Sequence, residues 1–346
     1  MTRSGAELAT FVVTPGDSLD EALDRLRSNH TGVAVVTGDD ERIVGTITDA
    51  DIRRAMLLKR SNTVADIMSR NPVTAAPDAD DARLLDLMTL HRVRAVPIVE
   101  HGRLVDMRTL DNVVEEEILP VTVIMAGGQG VRLRPITERV PKPLVEVGEK
   151  PIIELVIAPL VEAGIRELTL AVNYKAEMIE ESLGDGSSLG VKLNYMREEK
   201  RMGTAGALSL LPQEPDRPIC VANADIITTL DFARLFDYHW HHRAAITVAA
   251  TSFVSTIPYG VLGTAAHYLV HVEEKPEETA LVSGGVYVLD PEVLRFIKGR
   301  APLDMPDLVA DVLAEGLPVC VFPILEKWYD VGRHEDLERA RDEFGD

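Results

Sequence analysis

The chain has 346 residues, 46% of them hydrophobic, with 36 Lys plus Arg against 56 Asp plus Glu, for a formal charge of −20. That length and apolar share suit a soluble globular protein of two domains, or of one large and one small domain. The charge argues against a nucleic-acid partner, which needs a basic face, and against a polybasic membrane anchor. It leaves room for a small anion held by a local cluster of cations. No apolar run approaches the roughly 18 residues of a membrane span. The start, MTRSGAELATFVV, lacks an apolar core followed by a small-residue cleavage site. Cys220 and Cys320 both lie in short apolar runs and read as buried thiols, too few for a disulfide framework. A cytoplasmic location is expected.

In chain order a repeat comes first. Val13-Thr14 recurs as Val73-Thr74, and the β-branched strand Val33–Val36 recurs as Ala95–Ile98, at an offset of about 60 residues. Between them stand helices with apolar residues at helical spacing: Leu19, Leu23 and Leu26, then Leu84, Leu87 and Met88. A charged turn with Gly, a second strand and a second helix complete each β-α-β-β-α unit. Such units pack in pairs, because one alone cannot bury both faces of its sheet.

These units resemble CBS domains in tandem, over residues 8–117, with units at about 8–60 and 66–117. The resemblance implies adenosine-nucleotide binding where a Gly-x-x-Ser/Thr-x-x-Asp stretch leaves the last strand for the last helix. The first unit has Gly45-Thr46-Ile47-Thr48-Asp49-Ala50-Asp51. The Thr48 hydroxyl would reach a phosphate at a helix N-terminus, and Asp51 would accept from ribose hydroxyls. The same two residues equally suit a helix N-cap and its capping-box acid. The second unit keeps Thr109 but has Asn112 for the acid, Asp106 for the Gly, and Arg108 interrupting the apolar strand, so its site reads as degenerate. A pair of this kind also implies a homo-oligomer.

The acidic run EEEIL ends at Pro120 and the strand VTVIM begins. This divides the chain into a regulatory part, 1–118, and a second domain, 121–346. The second part alternates strands (VTVIM, ELTLAVN, KLNYM, PICVANAD, AITVAAT) with helices (PIIELVIAPLVEAG, AEMIEESLG, ARLFDYHWHHR). That pattern predicts an α/β fold with a doubly wound, mostly parallel sheet.

After VTVIM comes AGGQGVRLRPITERVPKPLVEVGEKPI. Gly127, Gly128 and Gly130 permit a tight loop whose N–H groups can cradle phosphates. Arg132 and Arg134 follow at once, and Pro135, Pro141 and Pro143 argue against a regular helix. No Gly-Lys-Ser/Thr follows, so the stretch is not a P-loop. It is a basic, proline-stiffened loop at the carboxyl end of a first strand, where open α/β sheets bind ligands.

The stretch resembles the signature of sugar-1-phosphate nucleotidyltransferases, Gly-Gly-x-Gly-Ser/Thr-Arg-Leu, then Thr, then Pro-Lys-Pro. Further landmarks follow in order: Gly203-Thr204-Ala205-Gly206, Asn223-Ala224-Asp225, Pro258-Tyr259-Gly260-Val261, Glu274-Lys275-Pro276, Gly284-Gly285-Val286-Tyr287 and Trp328-Tyr329-Asp330. The resemblance implies that a sugar phosphate attacks the α-phosphorus of a nucleoside triphosphate in line and pyrophosphate leaves, without a protein nucleophile. It makes Asp225 and Asp330 ligands of Mg²⁺, and sets Arg132 at the β- and γ-phosphates and Lys142 near the α-phosphate. Gly127, Gly128, Gly130, Gly203 and Thr204 would hold the nucleotide. Lys275 would bind the sugar phosphate, Glu274 a sugar hydroxyl, and Gly260 and Gly285 would let the sugar approach backbone.

Two positions depart from the pattern: Val131 stands for a Ser or Thr, and Ala224 for a Gly. Activity is expected to survive both. Glu198 stands where relatives using uridine or thymidine nucleotides often carry Gln. A carboxylate accepts two adjacent N–H donors of guanine, which favours GTP. The bland alternative is an exposed acid in REEKR. A CBS pair ahead of such a transferase resembles enzymes that supply nucleotide-activated sugars for surface glycans, with glucosamine 1-phosphate or a mannose-type phosphate as acceptor. The alternatives are uridylyl-, thymidylyl- or cytidylyl transfer, or a non-catalytic sugar-nucleotide sensor. His239, His241 and His242 do not share one helix face and read as a solvated helix end rather than a zinc site.

Overall fold

The computed structural model describes residues 8–29, 31–58, 63–91, 93, 95–109 and 119–344. In the first repeat unit, strands β1 (Val12–Val13), β2 (Val33–Thr37) and β3 (Ile43–Thr48) form one sheet, β1 parallel to β2 and β2 antiparallel to β3. Helix α1 (Leu19–Asn29) buries Leu19, Ala22, Leu23 and Leu26 on one face, the i, i+3, i+4, i+7 stripe expected of an amphipathic helix. Ser18 and Glu21 cap its start reciprocally, Glu21 accepting the Ser18 N–H at 2.9 Å and Ser18 Oγ accepting the Glu21 N–H at 3.3 Å. Helix α2 (Asp49–Leu58) adds Ile52 and Ala55 to the same core.

The second unit has helices α3 (Val64–Ile67) and α4 (Asp81–His91) and an antiparallel pair, β4 (Ala95–Glu100) and β5 (Arg103–Thr109). Ala75 bridges Ile98 in parallel and supplies the third strand position. Phe11 and Val35 of the first unit share one buried cluster with Ala95 and Met107 of the second, so the two sheets close on each other. Arg108 reaches Asp81 at 2.6 Å. Asn112 lies outside the described residues.

From Val121 on, strand and helix alternate. The elements are β6 (Val121–Met125), the short helix α5 (Ile136–Arg139), the small hairpin β7–β8 (Glu146–Val147, Lys150–Pro151), α6 (Ile152–Glu162), β9 (Glu167–Val172), α7 (Ala176–Leu183), β10 (Lys192–Arg197), β11 (Ile219–Asn223) and β12 (Ile226–Thr228). There follow α8 (Phe232–His242), β13 (Ile246–Thr256), β14 (Gly260–Ala265), β15 (Tyr268–Glu274), β16 (Glu277–Leu289), α9 (Met305–Ala314), β17 (Val319–Pro323), β18 (Trp328–Asp330) and α10 (His334–Phe344). Seven strands make one sheet in the order β10-β9-β6-β11-β16-β13-β17, with β16 alone running antiparallel to its neighbours.

The sheet is buried on both faces, which is why its strands read as continuous apolar runs. Ile124, Leu170, Ala222 and Val288 point to one side and meet α6, α7, α8 and α10. Their neighbours Val123, Ala171, Val221 and Leu289 point to the other and meet α9 and the turn Ala205–Leu208. That is a doubly wound three-layer arrangement. The carboxyl ends of β6, β9 and β11 open on the same edge, so the loops after them face one cleft.

The prolines break the loop up: α5 is a single turn between Pro135 and Pro141, and no helix longer than that forms there. Two expectations need correction. The end of α8 is solvated only at its tip, where His241 and His242 are exposed; His239 is buried, its Nδ1 2.9 Å from Thr247 Oγ1, because its face of α8 packs on the sheet. Cys220 is buried, but Cys320 only half so, near the sheet's β17 edge. Among the described residues no helix is long and apolar enough to cross a membrane.

Candidate active site

The glycine loop is built by local sterics. Gly130 has φ +60°, and a Cβ there would lie 2.8 Å from the Thr137 methyl. Only glycine turns the chain at that point. Thr137 then donates to the Gly130 carbonyl at 2.8 Å, while Leu133 anchors the loop in the core. Gly127 faces Glu198: a Cβ would stand 2.6 Å from Glu198 Oε1. Across the cleft, Gly203 has φ +82° and presses against the Leu303 carbonyl. Thr204 is clamped to the start of α9, giving its N–H to Asp304 at 3.0 Å and accepting the Met305 N–H at 2.8 Å.

The space between these walls is about 1050 Å³, counting the part open to solvent, and Gly127, Gly128, Gly130, Glu198, Gly203, Thr204 and Asp225 all line it. So do Asn173, Arg201 and Asp304, which sequence reasoning missed, and Asn223, quoted there only as part of the Asn223-Ala224-Asp225 landmark. Asn223 ends β11, Asn173 directly follows β9, and Asp304 stands at the N-cap before Met-Pro, so each carried a positional signal. Asn173 fixes the wall by donating to the Glu198 carbonyl at 2.6 Å. Glu198 is half-buried rather than a free surface acid, accepts the Met202 N–H at 2.9 Å, and is pushed up by burial.

At the mouth of the cleft four charges gather. Strands β12 and β18 pair antiparallel, Ile226 against Asp330, and the Val331 N–H bonds the Asp225 carbonyl, which sets the two aspartates side by side. Lys142, nearly buried, places Nζ 2.5 Å from Asp225 Oδ2. The Arg132 guanidinium lies over Gly332, where a Cβ would be 3.3 Å from both Arg132 Nη2 and Asp330 Oδ1. Asp330 Oδ1 is buried without a hydrogen-bond partner. Burial, then the Asp225 carboxylate, push the Asp330 carboxyl above its ordinary range, against the pull of Lys142 and Arg132.

An orphaned carboxylate oxygen beside a second carboxylate is what a hard, oxygen-preferring divalent cation relieves. Among the described residues no three of His, Cys, Asp and Glu converge on a metal. A two-carboxylate centre leaves the remaining coordination to phosphate and water, as such cations favour.

Gly260, Glu274 and Lys275 do not line this cleft, whereas Gly285 backs its wall through Asn223. Gly260 and Glu274 pair across the β14–β15 hairpin, and Lys275 follows with φ +51°; all three are exposed. The hairpin stands beyond the long β13–β16 pair with Tyr259 73% and Tyr268 77% exposed, so no core packing fixes it over the site. Gly285 has φ +72°, and the space of its missing side chain is taken by Asn223 and Ile226. Val131 is exposed on the loop, and Ala224 is buried with its N–H on the Met125 carbonyl.

In the first repeat unit Thr48 and Asp51 form the capping box. Thr48 Oγ1 donates to Asp51 Oδ2 at 2.6 Å and accepts the Asp51 N–H at 3.2 Å.

A doubly wound sheet with a glycine loop, two carboxylates and two cations at its carboxyl edge defines a phosphate-handling α/β transferase. The chain belongs to the nucleotidyl transferase family, whose model matches residues 121–345; the CBS domain model matches residues 8–58 and 64–116. It is 35% identical over 224 residues to a mannose-1-phosphate guanyltransferase of Candida albicans, covering 62% of each chain. It is 34% identical over 227 residues to the catalytic subunit beta of a mannose-1-phosphate guanylyltransferase of Drosophila pseudoobscura pseudoobscura, covering 62% of this chain and 60% of that one. The match thus spans about three fifths of these relatives. Among solved structures it is similar to a protein provisionally assigned as a glucose-1-phosphate thymidylyltransferase from Bacillus anthracis, with TM-score 0.56 and 26% identity over 66% of this chain and 96% of that one.

Proposed function

We propose that this protein transfers a nucleoside monophosphate from GTP to a sugar 1-phosphate of the mannose type, giving a GDP-sugar and pyrophosphate. The observation that carries this reading is the joint of Asp225, Asp330, Lys142 and Arg132 at the mouth of a cleft whose far wall holds Glu198. A phosphate oxygen of the sugar 1-phosphate bonds to the α-phosphorus, the bond from that phosphorus to the bridging oxygen breaks, and its electron pair leaves on pyrophosphate. Both nucleophile and leaving group are anions, so the protein's task is alignment and charge neutralisation.

The backbone of Gly127, Gly128 and Gly130 cradles phosphates. Arg132 meets the β- and γ-phosphates. Lys142, turned from Asp225, meets the α-phosphate. Glu198 accepts two N–H groups of guanine, and Gly203 and Thr204 bound the nucleotide's wall. Asp225 and Asp330 would hold Mg²⁺, which when bound supplies positive charge to the phosphates. Glu274 and Lys275 would take the sugar phosphate with Gly260 and Gly285 once the β14–β15 hairpin folds over the cleft.

Residues 1–118 form the regulatory part, with units at about 8–60 and 66–117, and residues 121–346 the catalytic part. An adenine nucleotide at Thr48 and Asp51 would exchange their mutual hydrogen bond for phosphate and ribose contacts. The pair also serves a homo-oligomer, in the cytoplasm. The relatives' names support the guanine base and the mannose-type sugar.

The test is pyrophosphate release from each common nucleoside triphosphate against a panel of sugar 1-phosphates. GTP with mannose 1-phosphate is expected to lead, Asp225→Ala to be silent, and Glu198→Gln to shift preference toward UTP or dTTP. No turnover with any pair overturns the reading.

A further inference from the structure

Asp49 and Arg53 sit one helical turn apart on α2, in the first CBS unit, and both are buried. Arg53 is fully buried and holds Asp49 with its Nε. Its other nitrogens reach across the chain to Glu326, with Nη1 2.7 Å from Oε2 and Nη2 2.6 Å from Oε1. That is a two-pronged guanidinium–carboxylate pair between residues 273 apart. Asp49 meets Arg234 of α8 at 2.5 Å, and Arg234 also donates to the Leu26 carbonyl at 2.8 Å. Leu325 packs against the core of the first CBS unit.

Glu326 stands on the short segment that joins β17 to β18. One residue on, the Lys327 carbonyl accepts Thr228 Oγ1 at 2.8 Å and the Thr229 N–H at 3.1 Å, which ties the segment to β12. β12 follows directly on Asp225, and β18 ends at Asp330. Both carboxylates of the cleft therefore hang on one two-stranded sheet, Ile226–Thr228 against Trp328–Asp330. The end of that sheet away from the cleft is seated on the CBS unit. Buried ion pairs are a costly way to gain stability, and their best-attested use is to select one arrangement among several. Here the arrangement selected is the spacing of two like charges, which repel unless held.

We propose that Arg53 and Glu326 are positioning residues through which the first CBS unit holds Asp225 and Asp330 at cation-binding distance. A change in that unit thus reaches the transferase as a change in metal affinity. This rests on the reading of Asp225 and Asp330 as metal carboxylates. Its test does not rest on turnover.

Mn²⁺ binding to the full chain is titrated by the electron paramagnetic resonance of the free ion, for wild type, Glu326→Gln and Arg53→Lys. Asp330→Asn marks the site, and Leu308→Ala, in the core on the opposite face of the sheet, serves as a destabilised control. Hydrogen exchange at residues 328–332 is followed in parallel. Glu326→Gln is expected to weaken Mn²⁺ binding fivefold or more and to speed exchange at those amides. Arg53→Lys, which keeps the charge but loses the fork, should fall between it and wild type, and Leu308→Ala should match wild type on both readouts. Should either ion-pair variant fail to fold, Leu325→Ala loosens the same seat without altering charge and is held to the same standard. Mn²⁺ affinities of the folded junction variants within twofold of wild type would overturn the proposal. So would wild-type binding that is insensitive to Asp330→Asn. Tight, junction-dependent Mn²⁺ binding in a protein that turns over no substrate would instead defeat the proposed reaction and leave the junction standing.

Discussion

Asp330 pays for its position. Its Oδ1 is buried without a partner, and burial with the neighbouring Asp225 charge lifts its carboxyl above the ordinary range. A group whose folded-state pKa is raised stabilises the fold where it is protonated and loses that contribution as pH rises through the raised value. Without a divalent cation, ionising this side chain therefore weakens the fold. Asp330→Asn should raise the melting temperature in EDTA, and the gap from wild type should narrow as pH falls toward the carboxyl range. The same change should lower turnover by about 10²- to 10³-fold, the scale set by removing one electrostatic contributor to an anionic transition state. Thermal melts against pH, with and without Mg²⁺, check this; a lower melting temperature for the variant in EDTA would contradict it.

At the scale of elements, the glycine loop is a steric device. Gly130→Ala forces φ +60° on a residue with a Cβ and drives that atom to 2.8 Å from the Thr137 methyl. The cost is about 1–3 kcal/mol. Melting should fall by a few degrees, and the apparent KM for nucleotide should rise more than kcat falls, because the loop shapes the phosphate cradle. Melting curves and steady-state kinetics would show it.

This loop was legible in the sequence because its determinants are local: the glycines, Thr137 and Pro-Lys-Pro lie within 17 residues, from 127 to 143. Asp225 and Asp330 were legible through the family resemblance rather than through local sterics: Asp225 lies in the turn between β11 and β12, and Asp330 ends the short β18. Glu198 was found as a candidate, yet its half-buried seat on the Met202 N–H depends on the turn after β10. The sugar-side set was legible only as a motif. Where Gly260, Glu274 and Lys275 stand is decided by how a long, largely solvent-facing strand pair is carried, and no local pattern encodes that. Thr48 and Asp51 illustrate the opposite case, because one pattern fits both a ligand site and a cap, and their mutual hydrogen bonds form the cap without deciding between the two. Wholly hidden was the junction of Asp49 with Arg234, a contact over a separation of 185 residues between charged side chains that would ordinarily be read as surface.

For the whole molecule, the −20 charge is shared by both parts of the chain: residues 1–120 carry a formal −7 and the rest −13. Yet two anionic substrates are to meet on it. The cations that resolve this are few and placed by the fold: Lys142 and Arg132 converge on the carboxylate pair, while Arg134 stays exposed on the loop. Other cations lie in the seam between the parts, where Arg53 and Arg234 are spent on Asp49 and Glu326 rather than on substrate. With phosphate-holding groups and no protein nucleophile in its proposed roles, the site is suited to one displacement, sugar phosphate on α-phosphorus. The stereochemical course at that atom tests this most directly. One diastereomer of GTPαS is turned over with mannose 1-phosphate, and the configuration of the GDP-sugar thiophosphate is read by ³¹P NMR. A single in-line attack predicts inversion; retention, which requires a covalent nucleotidyl-enzyme, would contradict the account.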